Sequence, residues 1–193
     1  VSIDKVEADD IISYLSKVVI KDPKDKAFIV SSDKDFIQLV SDNVIVYRPM
    51  EKEYYTEQTV IDKYKMSPKN FLLHKTLLGD NSDKIKGVKG LGEKGIYKKF
   101  PELMERDMDL QDIFSICESK FKDHVVYARV LQNMNEMENN YKIMNLENPM
   151  ISDKEKEYLN QLVDSKVPPY IPEQFLAFYN QDKLGGMIRN VEF

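Results

Sequence analysis

Residues 26–35 read KAFIVSSDKD. A short apolar run rich in β-branched and aromatic residues is the pattern of a buried strand, and Asp33 and Asp35 follow at its carboxyl end. Residues 36–40 begin a helix, and 43–48, NVIVYR, read as the next strand. Upstream, Ile11, Ile12, Leu15, Val18 and Val19 stand at helical spacing, which predicts a helix over 6–19. Strand and helix alternate as in a parallel α/β sheet. Ligands of such sheets bind beyond the carboxyl ends of the strands, so the DKD pair sits where a site is expected.

Residues 51–56 add a hairpin strand with Tyr54 and Tyr55, after which strand signals largely stop. Amphipathic helical spacing runs over 56–65 and 68–78, with Pro68 well placed at a helix start. Gly87, Gly90, Gly92 and Gly95 punctuate a tight loop, and helical patterns resume around Leu103, over 109–121, 123–140, 153–163 and 173–180, with Pro168 and Pro169 breaking the chain before the last. The expected fold is α/β: a partial parallel sheet flanked by helices over 1–66, followed by a mostly helical part over 67–193.

The chain has 193 residues, 42% of them hydrophobic, enough for a proper core. One cysteine, Cys117, excludes an internal disulfide framework, and with only two histidines the chemistry falls to oxygen ligands. His74, His124 and Cys117 read as packing or surface residues, as do Met134, Met137, Met144, Tyr127 and Tyr141. No apolar run approaches the roughly 18 residues that span a bilayer, and no leader pattern opens the chain; the expectation is a soluble, cytoplasmic monomer. The net charge of -5 counts against nucleic acid on average. Lys84, Lys86, Lys89, Lys94, Lys98 and Lys99 against Glu93 alone make 84–100 locally basic, +5.

Three acidic clusters punctuate the chain: Glu7, Asp9 and Asp10 in EADD, Asp33 and Asp35 in DKD, and Asp80 and Asp83 in DNSD. Each alone reads equally well as helix N-caps and first-turn acids. Together they read as a divalent-metal site, because carboxylates forced together repel unless cations neutralise them. Magnesium suits such oxygen sets, and two ions about 4 Å apart activate a water and stabilise the leaving oxygen of a phosphodiester. In GVKGLGEKG, over 87–95, glycines permit close backbone approach, so that amides and a helix start cradle phosphate. The same loop reads as a tight helix–helix turn with solvated lysines.

The ordered set VEADD, SSDKDFIQL and LGDNSDKIKGVKGLGEKG resembles the structure-specific 5' nucleases, which comprise flap endonucleases, polymerase-associated 5' nuclease domains and phage 5' exonucleases. It covers roughly residues 4 to 100, and the remainder, with its IRNVEF ending, is most similar to the T-even phage ribonuclease H subgroup. The resemblance implies a PIN-like nuclease core and a helix-three-turn-helix at about 73–100. It implies Glu7, Asp9 and Asp33 as ligands of one metal, Asp35 and Asp83 of a second, Asp80 acting directly or through water, and Asp10 as a further acidic position. Glu7, Asp9, Asp33, Asp35 and Asp83 are then catalytic, the ions being two Mg²⁺ with Mn²⁺ as substitute. The metals of that family generate the attacking hydroxide.

Gly87, Val88, Lys89, Gly90, Gly92, Lys94 and Lys98 map onto the family's DNA-gripping loop, which also binds K⁺ through backbone carbonyls. Gly87 and Gly95 depart from common variants that carry a hydroxyl and a basic residue there. The implied activity is 5'-3' exonuclease and flap endonuclease cleavage during replication, in a phage-infected or bacterial cell. Its substrate is duplex DNA with a 5' flap or RNA primer, and its partners a single-strand binding protein or sliding clamp, with the tail Val191, Glu192 and Phe193 as a docking point. Family members also carry an N-terminal strand with an aspartate and a helical arch, which do not precede Val1. Hence the expectation of a truncated product, a cleaved protein whose other piece stays bound, or a split nuclease, with an exposed apolar sheet face and, as its alternative function, non-catalytic duplex-DNA binding. A small acidic-site ribonuclease is disfavoured by the glycine–lysine loop.

Overall fold

A computed structural model describes residues 1–165 and 169–181. Pro168 and the tail from 188 to 193 lie outside the described residues. The chain forms two units, Val1–Val163 and a second beginning at Asp164.

In the first unit, α1 (Ala8–Val18) precedes β1 (Ala27–Val30), β2 (Val44–Arg48) and β3 (Glu53–Tyr55). β2 pairs parallel with β1 and antiparallel with β3, with Ala27 opposite Val44 and Tyr47 opposite Tyr54. The alternation of the strands sorts their side chains by face. Ala27, Ile29, Val44, Val46 and Tyr55 are buried with Phe36, Ile37, Leu39 and Val40 in one core. Phe28, Val30 and Tyr54 stand on the other face and are more than half exposed, with the rings of Phe28 and Tyr54 edge to face at 6.3 Å. The apolar sheet face expected to be exposed is therefore present.

Residues 36–40 fold as a 3₁₀ turn, Asp35–Leu39, rather than an α-helix, after which Val40 is extended. Phe36, Ile37, Gln38 and Leu39 are all buried, and a stretch buried on every side favours a tight turn over an amphipathic helix. Gln38 is satisfied by the segment that follows residue 143, donating to the Met144 carbonyl and accepting from the Leu146 amide, each at 3.0 Å. Ser13 of α1 donates to the Leu146 carbonyl. These bonds bring a segment more than 100 residues away back to the sheet.

Two helices follow, α2 (Glu57–Tyr64), capped by Thr56, and α3 (Pro68–Leu78), with Pro68 at its first turn. The spacing of α3 predicts an amphipathic helix, yet it is buried nearly all round. Phe71 belongs to the sheet core while Leu73 and Leu77 belong to a second, helical core. Its fully buried Asn70 donates to the Leu103 and Arg106 carbonyls at 2.8 and 2.7 Å and accepts from the Met108 amide at 2.9 Å. Both of its donors and its oxygen are hydrogen-bonded to backbone, as burial of an amide requires.

A short hairpin, β4 (Gly79–Asp80) and β5 (Ile85–Lys86), leads through the glycine loop to α4 (Glu93–Lys99). The second core then gathers α5 (Leu110–Lys120), α6 (Val125–Gln132) and α7 (Met134–Ile143) around Ile96, Phe100, Ile113, Cys117, Val130 and Met137. The single helix expected over 123–140 is two, because the Asn133 side chain donates to the Arg129 carbonyl at 2.7 Å and its backbone leaves helical geometry. An asparagine competing for a carbonyl of the preceding turn is a known helix breaker. Helix α8 (Asp153–Asp164) packs Leu159 with Ile151 against Ile11 of α1. The second unit contributes α9 (Pro172–Gln181), whose Phe175, Leu176 and Phe178 are exposed. Among the described residues no helix is long and apolar enough to cross a membrane.

Gly79 and Gly87 meet backbone to backbone across the hairpin. Gly79 has φ +81°, and a Cβ there would lie 2.6 Å from the Ile85 carbonyl oxygen; one on Gly87 would collide with the Leu78 carbonyl and the Gly79 amide. Gly92 has open space on that side. Gly87→Ala is accordingly expected to lower the unfolding free energy by about 2 kcal/mol or more, whereas Gly92→Ser, at the cap of α4, stays within about 0.5 kcal/mol of the parent. Urea denaturation followed by circular dichroism measures both.

Candidate metal centre

The acidic clusters arrive from three directions. Glu7 occupies the N-cap of α1 but makes no side-chain cap bond, and Asp9 lies in the first turn. Asp33 and Asp35 follow β1, where the Asp33 side chain accepts from the Asp35 amide at 2.8 Å. The hairpin supplies Asp80, at the end of β4, and Asp83, in the turn that leads to β5. Asp80 Oδ1 accepts from the Ser82 amide at 2.8 Å and from the Ser82 hydroxyl, so a local turn occupies that oxygen and leaves Oδ2 to the Lys75 ammonium.

Asp35, Asp80 and Asp83 converge: each offers a carboxylate oxygen, and the three lie within 4.8 Å of one another. Glu7, Asp9 and Asp33 are not in that group. Asp9 nonetheless feels Asp35, because burial first, then the charges of Asp33, Asp35, Glu7 and Asp10, push the Asp9 carboxyl above its ordinary range. Asp35 is likewise raised, by burial foremost, with Asp33 and Asp80 adding to it. Asp10 is held elsewhere: it is buried, and its Oδ1 accepts from the Met150 amide at 3.1 Å. That bond makes Asp10 an anchor for the chain returning to α1.

Lys75 went unremarked in the sequence and proves central. From α3 it forms ion pairs with Asp35 and with Asp80, the latter at 2.7 Å, all three side chains being largely buried. The Lys75 hydrogen bond, then those from Ser82, hold Asp80 far below the usual carboxylate range. Burial alone would push Lys75 down, but its bonds to Asp35 and Asp80 outweigh that and raise it. A lysine inside the apolar run LLHKTLL is the signal that could have found it. Arg48 is a second such residue. Buried at the end of β2, it donates to the Ser32 carbonyl at 2.8 Å and pairs with Glu51 at 3.1 Å, fastening the loop that carries Asp33.

A cleft of about 430 Å³ opens over the group, lined by Ser32, Asp33, Asp35, His74, Lys75 and Asp80 among others. A larger cavity of about 660 Å³ is lined by Lys17, Gln38 and Lys69. There Lys17 is paired with Glu147 and Lys69 with Asp107, so it lacks converging charge of one sign. His74, buried and stacked on Phe71, is held below its ordinary value chiefly by burial and packs as a neutral ring. His124 caps α6, and burial pushes the Cys117 thiol up to about 12.

The glycine loop divides its candidates. Val88 and Leu91 are buried in the helical core, and Gly87 packs against Gly79. Lys89, Gly90, Gly92, Lys94 and Lys98 are exposed, together with Lys84 and Lys86. Gly90 has φ +83°, and the Arg129 guanidinium lies over it, donating to the Lys89 carbonyl at 2.7 Å.

Three carboxylates on fixed elements suit a hard divalent cation, whose oxygen ligands are carboxylates and water. Residues 1–65 match the family model of the 5'-3' exonuclease N-terminal, resolvase-like domain. The 5'-3' exonuclease of Aquifex aeolicus (strain VF5) is 40% identical over 97 residues, which is 49% of this chain and 33% of that protein. The fold is similar to that of T5 5'-exonuclease with bound zinc, at TM-score 0.70 and 20% identity, covering 84% of this chain and 60% of that one. It is also similar to bacteriophage T5 flap endonuclease in a complex with DNA and metal ions, at TM-score 0.69, 19% identity and the same coverages. The chain thus spans about a third of the length of the Aquifex relative and 60% of the T5 structures.

Because the folded Asp9 carboxyl binds its proton more tightly than the unfolded one, its charge works against folding above that raised value. The penalty disappears below the ordinary value of 3.8. Asp9→Asn is expected to raise the melting temperature in metal-free buffer at pH 7, and the gain shrinks to nothing as the pH is lowered below that ordinary value. Differential scanning calorimetry across pH reads it directly.

Proposed function

We propose that the chain belongs to the 5'-3' exonuclease and flap endonuclease family and hydrolyses phosphodiesters at 5' ends or flaps of DNA or RNA on duplex, as in primer removal. The observation that carries the reading is the convergence of Asp35, Asp80 and Asp83, with Asp35 and Asp80 lining a cleft together with Asp33, and with Asp35 in the field of Asp9. Asp35, Asp83 and Asp80 would hold one Mg²⁺, and Glu7, Asp9 and Asp33 a second, with Mn²⁺ able to substitute. Bound there, the ions supply an activated water and neutralise charge at the phosphate. The chain's own residues orient the site: Arg48 fixes the loop of Asp33, Ser82 fixes one oxygen of Asp80, and Asp10 ties α1 to the returning chain.

Residues 67–193 form the second part of this reading, with the helix-three-turn-helix at about 73–100 as the duplex grip. Lys89, Lys94 and Lys98, with the exposed backbone of Gly90 and Gly92, are its phosphate contacts. Gly87 and Val88 serve by packing and by backbone position. The K⁺ expected at the loop carbonyls has a rival, since Arg129 already donates to the carbonyl of Lys89. Contacts of this kind follow the backbone and carry no base information. A single-strand binding protein or sliding clamp is the expected replication partner of a monomer working in the cytoplasm.

A labelled 5'-flap duplex with Mg²⁺ tests the proposal. The parent chain is expected to cut it, and Asp35→Asn and Asp80→Asn each to slow cutting by about 100-fold or more. Full activity in both variants would overturn the assignment. Retained binding without any cutting by the parent would favour a duplex-holding role instead. In gel-shift titrations, Lys89→Ala and Lys94→Ala should each weaken binding equally across sequences and reduce the log–log salt slope by about one.

A further inference from the structure

Asp80 has two carboxylate oxygens, and they are not equivalent. Oδ1 is taken by the Ser82 amide at 2.8 Å and by the Ser82 hydroxyl. Oδ2 accepts from the Lys75 ammonium at 2.7 Å. The same ammonium donates to Asp35 Oδ1. Two of the three converging carboxylates therefore already share a cation, and it is covalently attached to α3.

We propose that Lys75 is an intramolecular competitor for the divalent ion, so that the ammonium and the ion exchange on Asp35 and Asp80 and Lys75 sets the metal affinity of the site. The inference rests on the reading of Asp35, Asp80 and Asp83 as metal ligands and adds a role for a residue outside that set. The physical case is one of exclusion. Magnesium sits at 2.0–2.1 Å from its oxygen ligands, so an ion on Asp80 Oδ2 would lie within a few ångströms of the ammonium. In a partly buried site the repulsion between two such cations is poorly screened. The side chains of Lys75, Asp35 and Asp80 are only 12–15% exposed, so neither cation can share the carboxylates through bulk water.

The position of Lys75 suits exchange better than permanent pairing. It occupies the last turn of α3, and its carbonyl accepts from the Gly79 amide, so the backbone at its root is fixed while four methylenes carry the charge. Displacement therefore asks for side-chain rotation and no movement of the helix. An arginine could not exchange as readily, because its planar fork would hold both carboxylates at once.

Isothermal titration with Mn²⁺ on the parent chain, Lys75→Met and Lys75→Arg tests this. Lys75→Met is expected to bind one Mn²⁺ about ten-fold or more tightly than the parent, the size of one lost charge repulsion. Its melting temperature should be lower than the parent's without metal and rise more steeply with Mn²⁺. Lys75→Arg should bind no more tightly than the parent. Binding in the parent with no gain in Lys75→Met would overturn this inference alone; absence of binding in both would overturn the metal reading and this inference with it. Should Lys75→Met fail to fold, the ¹⁵N spectrum of lysine ammonium groups in the parent decides. One ammonium protected from solvent exchange should lose that protection as Mg²⁺ is added, and protection retained at saturating Mg²⁺ would overturn the proposal.

Discussion

Carboxylates cannot be gathered in a partly buried place without a positive charge among them, and the architecture is organised around that constraint. Asp35 is delivered by the turn after β1 and Asp80 by the hairpin after α3, and the two meet across Lys75. Bringing them together costs desolvation and mutual repulsion, which is why the Asp9 and Asp35 carboxyls hold their protons more tightly than usual. The ammonium offsets part of that cost, and Asp80, which gains most from it, is shifted the other way.

The rest of the first unit keeps those segments from drifting apart. Helix α3 is the common wall of two cores, with Phe71 facing the sheet and Leu73 and Leu77 facing the helices, so Lys75 is fixed relative to both. Gly79 and Gly87 allow the hairpin to close on itself with no intervening side chain, which holds the Asp80–Asp83 loop at the end of α3. At the opposite flank, Gln38, Ser13 and Asp10 take four backbone groups of Met144, Leu146 and Met150 that bring the chain back to α1. Burying a polar group is tolerable only when it is hydrogen-bonded, so each of these side chains specifies one arrangement. The result is a rigid frame for charges that would otherwise separate.

Much of this was legible in the chain itself. β1, β2 and β3, and the parallel pairing of the first two, follow from apolar runs bounded by polar turns, and α1, α5 and α8 from spacing and caps. The acidic pair after β1 stands at the strand end where sheet topology puts a site. What periodicity could not read was local competition for backbone bonds, seen at Asn133, where one expected helix is two, and at residues 35–39, where burial on all sides gives a 3₁₀ turn. The convergence of DKD with DNSD depends on tertiary packing of α3, which no spacing rule encodes. Lys75 was hidden for a related reason. Lysines are common, and only its place in a helix buried on nearly every side distinguishes it from those on the surface of the glycine loop. Val88 shows the converse, since a residue in a basic, glycine-rich motif looks available until the helical core is seen to enclose it.

Crystals grown with Mn²⁺ and measured at the manganese absorption edge would test the centre most directly. The expected result is an anomalous peak bounded by the carboxylates of Asp35, Asp80 and Asp83, with the Lys75 ammonium withdrawn from Asp80. Lys75 still bridging Asp35 and Asp80 at saturating Mn²⁺, with no peak among the three aspartates, would contradict it.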